Sequence, residues 1–378
     1  MAHIIQYIKQ LNQLDNDELF VELAKDFKIV QNDSIFMLKY RLKMNSNDTI
    51  RKTRGIIVDK QTKKIISYPI EGKISLDTFK TNVDWNDIVI EESIDGTLIN
   101  MYYYNNKWNY STNSTLHAKC YWNSKRSFKE LFIETLGLYN FNKTLLNKNY
   151  TYSFILCHPE TRNVTAYNKP RLYHVLSRNI DTGKEVSLNL HIPKPKILKL
   201  DDINKINCHS YKDLFTYCSS LPYNKEGVML FSKDRLYRTK IKGKKHIMVR
   251  NIRGNHSNST YTILEAIRYN LNNRIRKLFK YFPEYIDLYN KIKKKLVLLG
   301  TEIEYEYTEI KKNKNKHFRN TYKYNKAIKE LHSQYIYLIK SYKPSIHNYK
   351  PNINSKKITH YIHKEMDISY LVYLLSTL

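Results

Sequence analysis

Cysteine is scarce in this sequence: Cys120, Cys157, Cys208 and Cys218 are the four in 378 residues. None stands in CxxC spacing, so neither a zinc site nor a redox pair is indicated, and a reduced intracellular setting is expected. Acidic residues are also in deficit, with 35 Asp and Glu against 64 Lys and Arg, a formal net charge of +29. That excess favours a polyanionic partner, with nucleic acid as the default and a generally basic protein as the plainer alternative. Long apolar runs are missing, and none approaches the roughly 18 residues of a membrane span. Met1-Ala2-His3 lacks a basic start, and Gln6, Lys9 and Gln10 interrupt the apolar residues that follow, so no signal peptide is expected. No internal repeat is apparent. His360-Tyr361-Ile362-His363 is a weak metal cue beside the reading of a surface helix or loop. Tyrosine is abundant, at 33 residues. Tyrosine stacks on bases and also fills cores, so the count decides nothing.

The patterns suggest two parts. Ile4, Ile5, Ile8, Leu11 and Leu14 share a helical face, and 18–27 continues as a second helix. Strands are expected at 36–40, 54–59, 88–90, 98–104, 108–111, 150–156, 171–178, 228–231 and 236–242, with a helix over 127–141. Beyond Ser257 the spacing turns helical. Thr262-x-x-Glu265 suggests a capping box. Apolar residues from Ile263 to Leu278 then run to Pro283. Further helices are expected over 285–299, ended by Gly300, and over 326–340. Lysine clusters at 293–295 and 311–316 read as solvated faces or as a track for an RNA backbone.

One stretch carries the chemistry. Glu91-Glu92-Ser93-Ile94-Asp95-Gly96-Thr97-Leu98 lies between two strand-like runs, and Asp95-Gly96 is a turn signal of the hairpin kind. Arg54-Gly55 stands upstream, with Arg51 nearby. Glu226-Gly227 stands downstream and opens a strand. On the returning strand Arg238, Lys240 and Lys242 share one face at period two, a pair of lysines facing a carboxylate.

This order resembles the covalent nucleotidyltransferases, the ATP-dependent ligases and capping enzymes, and most of all the phage-type RNA ligase 1 family, which repairs broken tRNA. In that family the first motif reads Lys-x-Asp-Gly, and its lysine takes AMP from ATP. Here Ser93 holds the lysine's place. The segment 150–167 resembles the third motif, but Ile155 stands where the family has a glutamate. Asn113 stands where 110–116 would carry a basic residue. Tyr68 to Lys73 resembles the segment leading towards the adenylation site, with uneven spacing.

The resemblance implies an α+β nucleotidyltransferase (ATP-grasp-like ligase) domain of mixed, mostly antiparallel sheets over 1–250, and a small, basic, all-helical domain over 251–378. It implies Arg54, Asp95, Gly96, Glu226, Lys240 and Lys242 as nucleotide-binding residues, Glu226 also as metal-binding, and ATP and Mg²⁺ as cofactors. The implied partner is RNA, tRNA among the candidates, with no membrane. The setting is intracellular and cytoplasmic, which includes a viral protein in its host cell. The function implied is that of an RNA ligase homologue, binding nucleotide and RNA ends, with self-adenylation impaired. Serine is a weak nucleophile without a general base, and the three departures point the same way. Three readings stay open: a ligase with a shifted mechanism, in which a lysine such as Lys73 substitutes; a catalytically inactive pseudo-ligase that binds RNA or nucleotide; and a basic structural protein.

Overall fold

The computed structural model describes residues 6–8, 10, 13–41, 53–198, 208–269, 273–313, 323–342 and 351–378. Arg51, Ile4, Ile5, Leu11, Lys314 and Lys316 lie outside the described residues. The chain separates into two compact units, Met1–Asn251 and Ile252–Leu378.

Three antiparallel sheets build the first unit. The first orders β1 (Phe27–Gln31), β2 (Ile35–Tyr40), β3 (Arg54–Asp59) and β4 (Ile65–Ser67) as a meander. Its strand β2 is apolar and buried over its first four residues, Ile35 to Leu38, because both faces are covered there. Phe36 and Leu38 pack with Leu19 and Leu23 of the helix Asn16–Asp26. Ile35 and Met37 face the opposite way, towards Tyr102 and Leu116. Alternation at period two thus serves two cores at once.

The second sheet uses β6 (Thr97–Tyr104), β7 (Lys107–Ser111), β8 (Tyr150–Cys157), β9 (Arg171–Asn179) and β10 (Glu185–Val186), in the order β10-β9-β8-β6-β7. Asn105 and Asn106, with φ of 49° and 57°, turn β6 into β7. Two consecutive left-handed residues are what a tight hairpin requires, and asparagine tolerates them. The helix Phe128–Gly137, started by a Ser127–Glu130 capping box, lays Phe128, Leu131, Phe132 and Leu136 on this sheet.

The third sheet orders β11 (Ile197–Leu198), β5 (Ile88–Glu92), β12 (Gly227–Ser232) and β13 (Arg238–Lys242). The helices Leu76–Asn82 and Tyr211–Ser220 contribute Phe79, Leu214 and Cys218 to its core. Asp95-Gly96 is therefore not a hairpin turn. Strand β5 pairs with β12 and β6 with β8, so the chain changes sheets between them. The apolar partners each strand finds far along the chain outweigh the local turn preference.

Gly227 locks β12 to β13. Its φ is +132°, and a Cβ there would stand 2.1 Å from the carbonyl oxygen of Ile241. Gly227→Ala is expected to cost roughly 3 kcal/mol, from backbone strain and the forced parting of the strands. Denaturant unfolding measures it against Gly137→Ala, where a Cβ meets nothing within 4 Å and no loss is expected. Equal midpoints for the two variants would contradict the strand lock.

The described residues of the second unit form helices joined by loops, with no strand among them: Ser259–Arg268, Arg274–Tyr281, Tyr285–Tyr307, Asn325–Ser341, Ser355–His360 and Ile368–Ser376 are its α-helices. Three local expectations fail here. The apolar run 263–278 is divided between two helices, the second entered through left-handed Asn273. The cap of the first is Asn258, which accepts from the amides of Thr260 and Tyr261, while Glu265 pairs with Arg274 at 2.8 Å. Gly300 does not end its helix, because buried Leu299, Ile303 and Tyr307 continue one stripe through it. That burial outweighs the ~1 kcal/mol cost of an internal glycine. His360 sits at a helix end, 3.5 Å from Glu365. Among the described residues no helix is long and apolar enough to cross a membrane.

Candidate functional site

The pairing of β12 with β13 sets Gly227 opposite Lys242 and Met229 opposite Lys240. Glu226, one residue before β12, then meets both lysines. Lys240 Nζ lies 2.9 Å from its Oε2, and Lys242 Nζ lies 2.7 Å from its Oε1. Residue 93 arrives from the other side, because β5 is the second neighbour of β12. The amide of Ser93 donates to Gly227 O at 3.0 Å, and its Oγ donates to Glu226 Oε2 at 2.7 Å. Ser93 and Glu226 are both buried. Burial alone would raise the carboxyl's pKa. The Lys240 and Lys242 charges, with hydrogen bonds from Lys242 and Ser93, outweigh that and hold it well below the usual carboxylate range.

Asp95 is fixed by backbone. Its Oδ2 accepts from the amides of Val164 at 3.0 Å and Thr165 at 2.8 Å. The hydroxyl of Tyr167 donates to its carbonyl at 2.9 Å. Gly96 lets this loop pass directly over β8: a Cβ there would stand 2.5 Å from Ile155 Cγ2 and 2.6 Å from Leu156 O. The aliphatic side chain of Ile155 thus lies against the loop.

His246, in the first turn of the helix Lys244–Arg253, was missed by sequence reasoning. It is buried, with Nδ1 3.0 Å from the carbonyl of Tyr223. A ring proton shared with that carbonyl leaves Nε2 as the bare nitrogen. Asp95, Glu226 and His246 each offer a ligand atom, all within 4.8 Å of one another. Such a set fits a divalent cation. Oxygen donors suit Mg²⁺, which keeps much of its water, and an imidazole adds affinity for Mn²⁺. Because Glu226 already takes three donors, water-bridged contact suits it better than direct ligation.

Arg54 is exposed at the start of β3, and its charge acts on Lys73 and Arg238. Beside it Gly55, at φ +88°, approaches Asn113 so closely that a Cβ would stand 3.0 Å from the Asn113 Cα. Asn113 is buried and accepts from Asn100 Nδ2 at 3.0 Å, while Asn100 Oδ1 accepts from Ser153 Oγ at 2.8 Å. Asn113 is spent on an internal chain of amides and offers no charge to a ligand. The segment before Lys73 is anchored by buried Arg178, which reaches Glu71 at 3.0 Å and Pro69 O at 3.1 Å and stacks over the Tyr68 ring at 4.6 Å. Ser93, Asp95, Glu226, Lys240 and Lys242 therefore meet in one cluster, with Gly96 in the loop of Asp95 and with Lys73 and Arg54 close enough for their charges to act on it.

No protein-family model matches the chain. It is 26% identical over 208 residues to a bifunctional polynucleotide kinase/RNA ligase, so named, of Autographa californica nuclear polyhedrosis virus, across 50% of this chain and 29% of the relative. It is 26% identical over 287 residues to an immediate-early protein ICP-46 homolog of Invertebrate iridescent virus 3, across 70% of this chain and 62% of the relative. The chain thus spans less than two thirds of either relative's length. Among solved structures it is similar to an ATP-dependent DNA ligase from Aquifex aeolicus, with TM-score 0.44, 16% identity and coverage of 74% of this chain and 80% of that one. It is also similar to an archaeal ATP-dependent RNA ligase, with TM-score 0.43, 9% identity and 72% coverage of each chain.

Proposed function

We propose that this chain is an RNA ligase homologue that binds ATP, RNA ends and adenylated RNA ends, and that residue 93 takes no AMP. The carrying observation is the cluster of Lys240 and Lys242 on Glu226, closed by Ser93 where the resembling family has its nucleophilic lysine. A phosphate entering the pocket takes the two ammonium groups from Glu226 as charge-assisted donors. Arg54 adds a third cation at the border, for the nucleotide or the RNA phosphate. Asp95, held rigid by two amides, presents its remaining oxygen to the nucleotide sugar or to a metal's water. Mg²⁺, held between Asp95, Glu226 and His246, would supply charge neutralisation to the phosphates. The formal net charge of +29 suits a long polyanion, and tRNA is one such substrate.

Ser93 cannot take the lysine's part. Its hydroxyl is held by a carboxylate whose depressed pKa makes it a poor base. Joining an RNA end that already carries AMP needs no such nucleophile: a 3′-hydroxyl attacks the 5′-phosphate and AMP leaves. The whole protein, given pre-adenylated RNA, a 3′-hydroxyl acceptor and Mg²⁺ without ATP, is expected to yield joined strands. If excess protein binds the adenylated RNA but joins none, the second reading replaces the first: a pseudo-ligase that only binds, as the loss of a carboxylate at Ile155 favours.

A further inference from the structure

We propose that Lys73 takes AMP from ATP, so that the covalent nucleotide sits on the border of the pocket instead of at residue 93. This rests on the nucleotide-binding reading above.

The segment carrying Lys73 is fixed on both sides. Upstream, Arg178 grips Pro69 and Glu71. Downstream, the amide of Ile74 donates to Arg238 O at 3.0 Å, and Thr239 Oγ1 donates to Ile74 O at 2.9 Å. Lys73 therefore leaves the backbone one residue from a tie to β13, the strand that bears Lys240 and Lys242.

Among the amines here, Lys73 differs in being uncommitted. Lys240 and Lys242 are both spent on Glu226, and Lys225 is spent on Glu92 at 2.7 Å. Lys73 is exposed, and its Nζ makes no hydrogen bond or ion pair among the described residues. It can swing without breaking anything. Partial burial also draws its pKa below the ordinary lysine range. Lys240, Lys242 and Arg54 push it further down, while Glu226 opposes them. Desolvation and cationic neighbours are how an amine becomes a nucleophile near neutrality.

In the step, the Lys73 ammonium first loses a proton to solvent. The Nζ lone pair then forms a bond to the α-phosphorus of ATP. The bond from that phosphorus to the bridging oxygen breaks, pyrophosphate leaves against Lys240 and Lys242, and Nζ gives up a second proton to solvent. The phosphoramidate formed can pass its AMP to an RNA 5′-phosphate.

The test incubates the whole chain with ATP and Mg²⁺ and reads intact mass, a peptide map and ATP affinity by calorimetry, for wild type and Lys73→Arg. Arginine keeps the charge and removes the nucleophile. Wild type is expected to gain one AMP on the peptide containing Lys73. The rate should rise with pH through a midpoint below the ~10.4 of a free lysine. Lys73→Arg is expected to lose the adduct by about 100-fold or more while ATP affinity stays within about threefold. ATP binding without any adduct, an adduct on another residue, or an adduct undiminished in Lys73→Arg overturns the proposal and leaves the nucleotide reading standing. If wild type binds no ATP, both fall.

Discussion

Ser93→Lys is expected to raise covalent attachment of AMP by on the order of 10³ or more over wild type, with the new adduct at position 93. In the proposed reading, residue 93 stands where the resembling family holds its nucleophilic amine, so a lysine there would add an acceptor separate from Lys73. The amide of Ser93 is tied to Gly227 O at 3.0 Å, and its side chain points at Glu226, 2.7 Å from Oε2. A lysine there would meet the same carboxylate, which holds the ammonium's proton, while burial and the Lys240 and Lys242 charges favour the neutral amine that attacks. Removing a protease's nucleophile costs on the order of 10⁶ in rate. Restoration is expected to fall short of that, because Ile155 and Asn113 still supply neither carboxylate nor charge. Ser93→Lys combined with Ile155→Glu is expected to recover more than Ser93→Lys alone, and Ser93→Ala to recover nothing. Radiolabel transfer from α-labelled ATP is the measurement. No gain in a folded Ser93→Lys protein would mean that residue 93 is not in the nucleophile's position.

Lys240→Met is expected to weaken binding of adenylated RNA by about 10- to 100-fold, the worth of one charged hydrogen bond in a buried site, and to stop joining. The same change leaves Glu226 with one lysine fewer, at a stability cost of roughly 3 kcal/mol. The pH dependence has a definite sign. Glu226's carboxyl is depressed in the folded chain, so its contribution is complete above the ordinary glutamate value near ~4.3 and is lost as pH falls below it. Lys240→Met is expected to flatten that acid limb. Lys233→Met is the control, since Lys233 and its partner Asp87 are both largely exposed and such pairs contribute little. Filter binding across a salt series, with acid unfolding beside it, checks both effects. Equal losses in the two variants would remove any special role for Lys240.

Much of the pocket was legible because it is local. Glu226-Gly227 and the alternation of Lys240 with Lys242 are close in sequence, and a hairpin brings them together at the register their spacing implies. What failed was non-local. Asp95-Gly96 carries a hairpin signal, yet β5 finds its partner in β12, far down the chain. Nothing near Asp95 in sequence reveals that. His246 was missed for the same reason, since its ring is oriented by Tyr223 O and its neighbours come from two other segments. Nothing in the sequence near Asn113 reveals its hydrogen-bond chain through Asn100 to Ser153. In the helical unit, Gly300 misled because tertiary burial outweighs propensity.

The central claim is that Ser93, Asp95, Glu226, Lys240 and Lys242 line one nucleotide pocket. Calorimetric titration of ATP with Mg²⁺ into the wild-type chain tests it most directly. The account predicts a single site per chain, with affinity that weakens as salt rises and falls in Lys240→Met. No binding at millimolar ATP, or binding indifferent to Lys240, would contradict it.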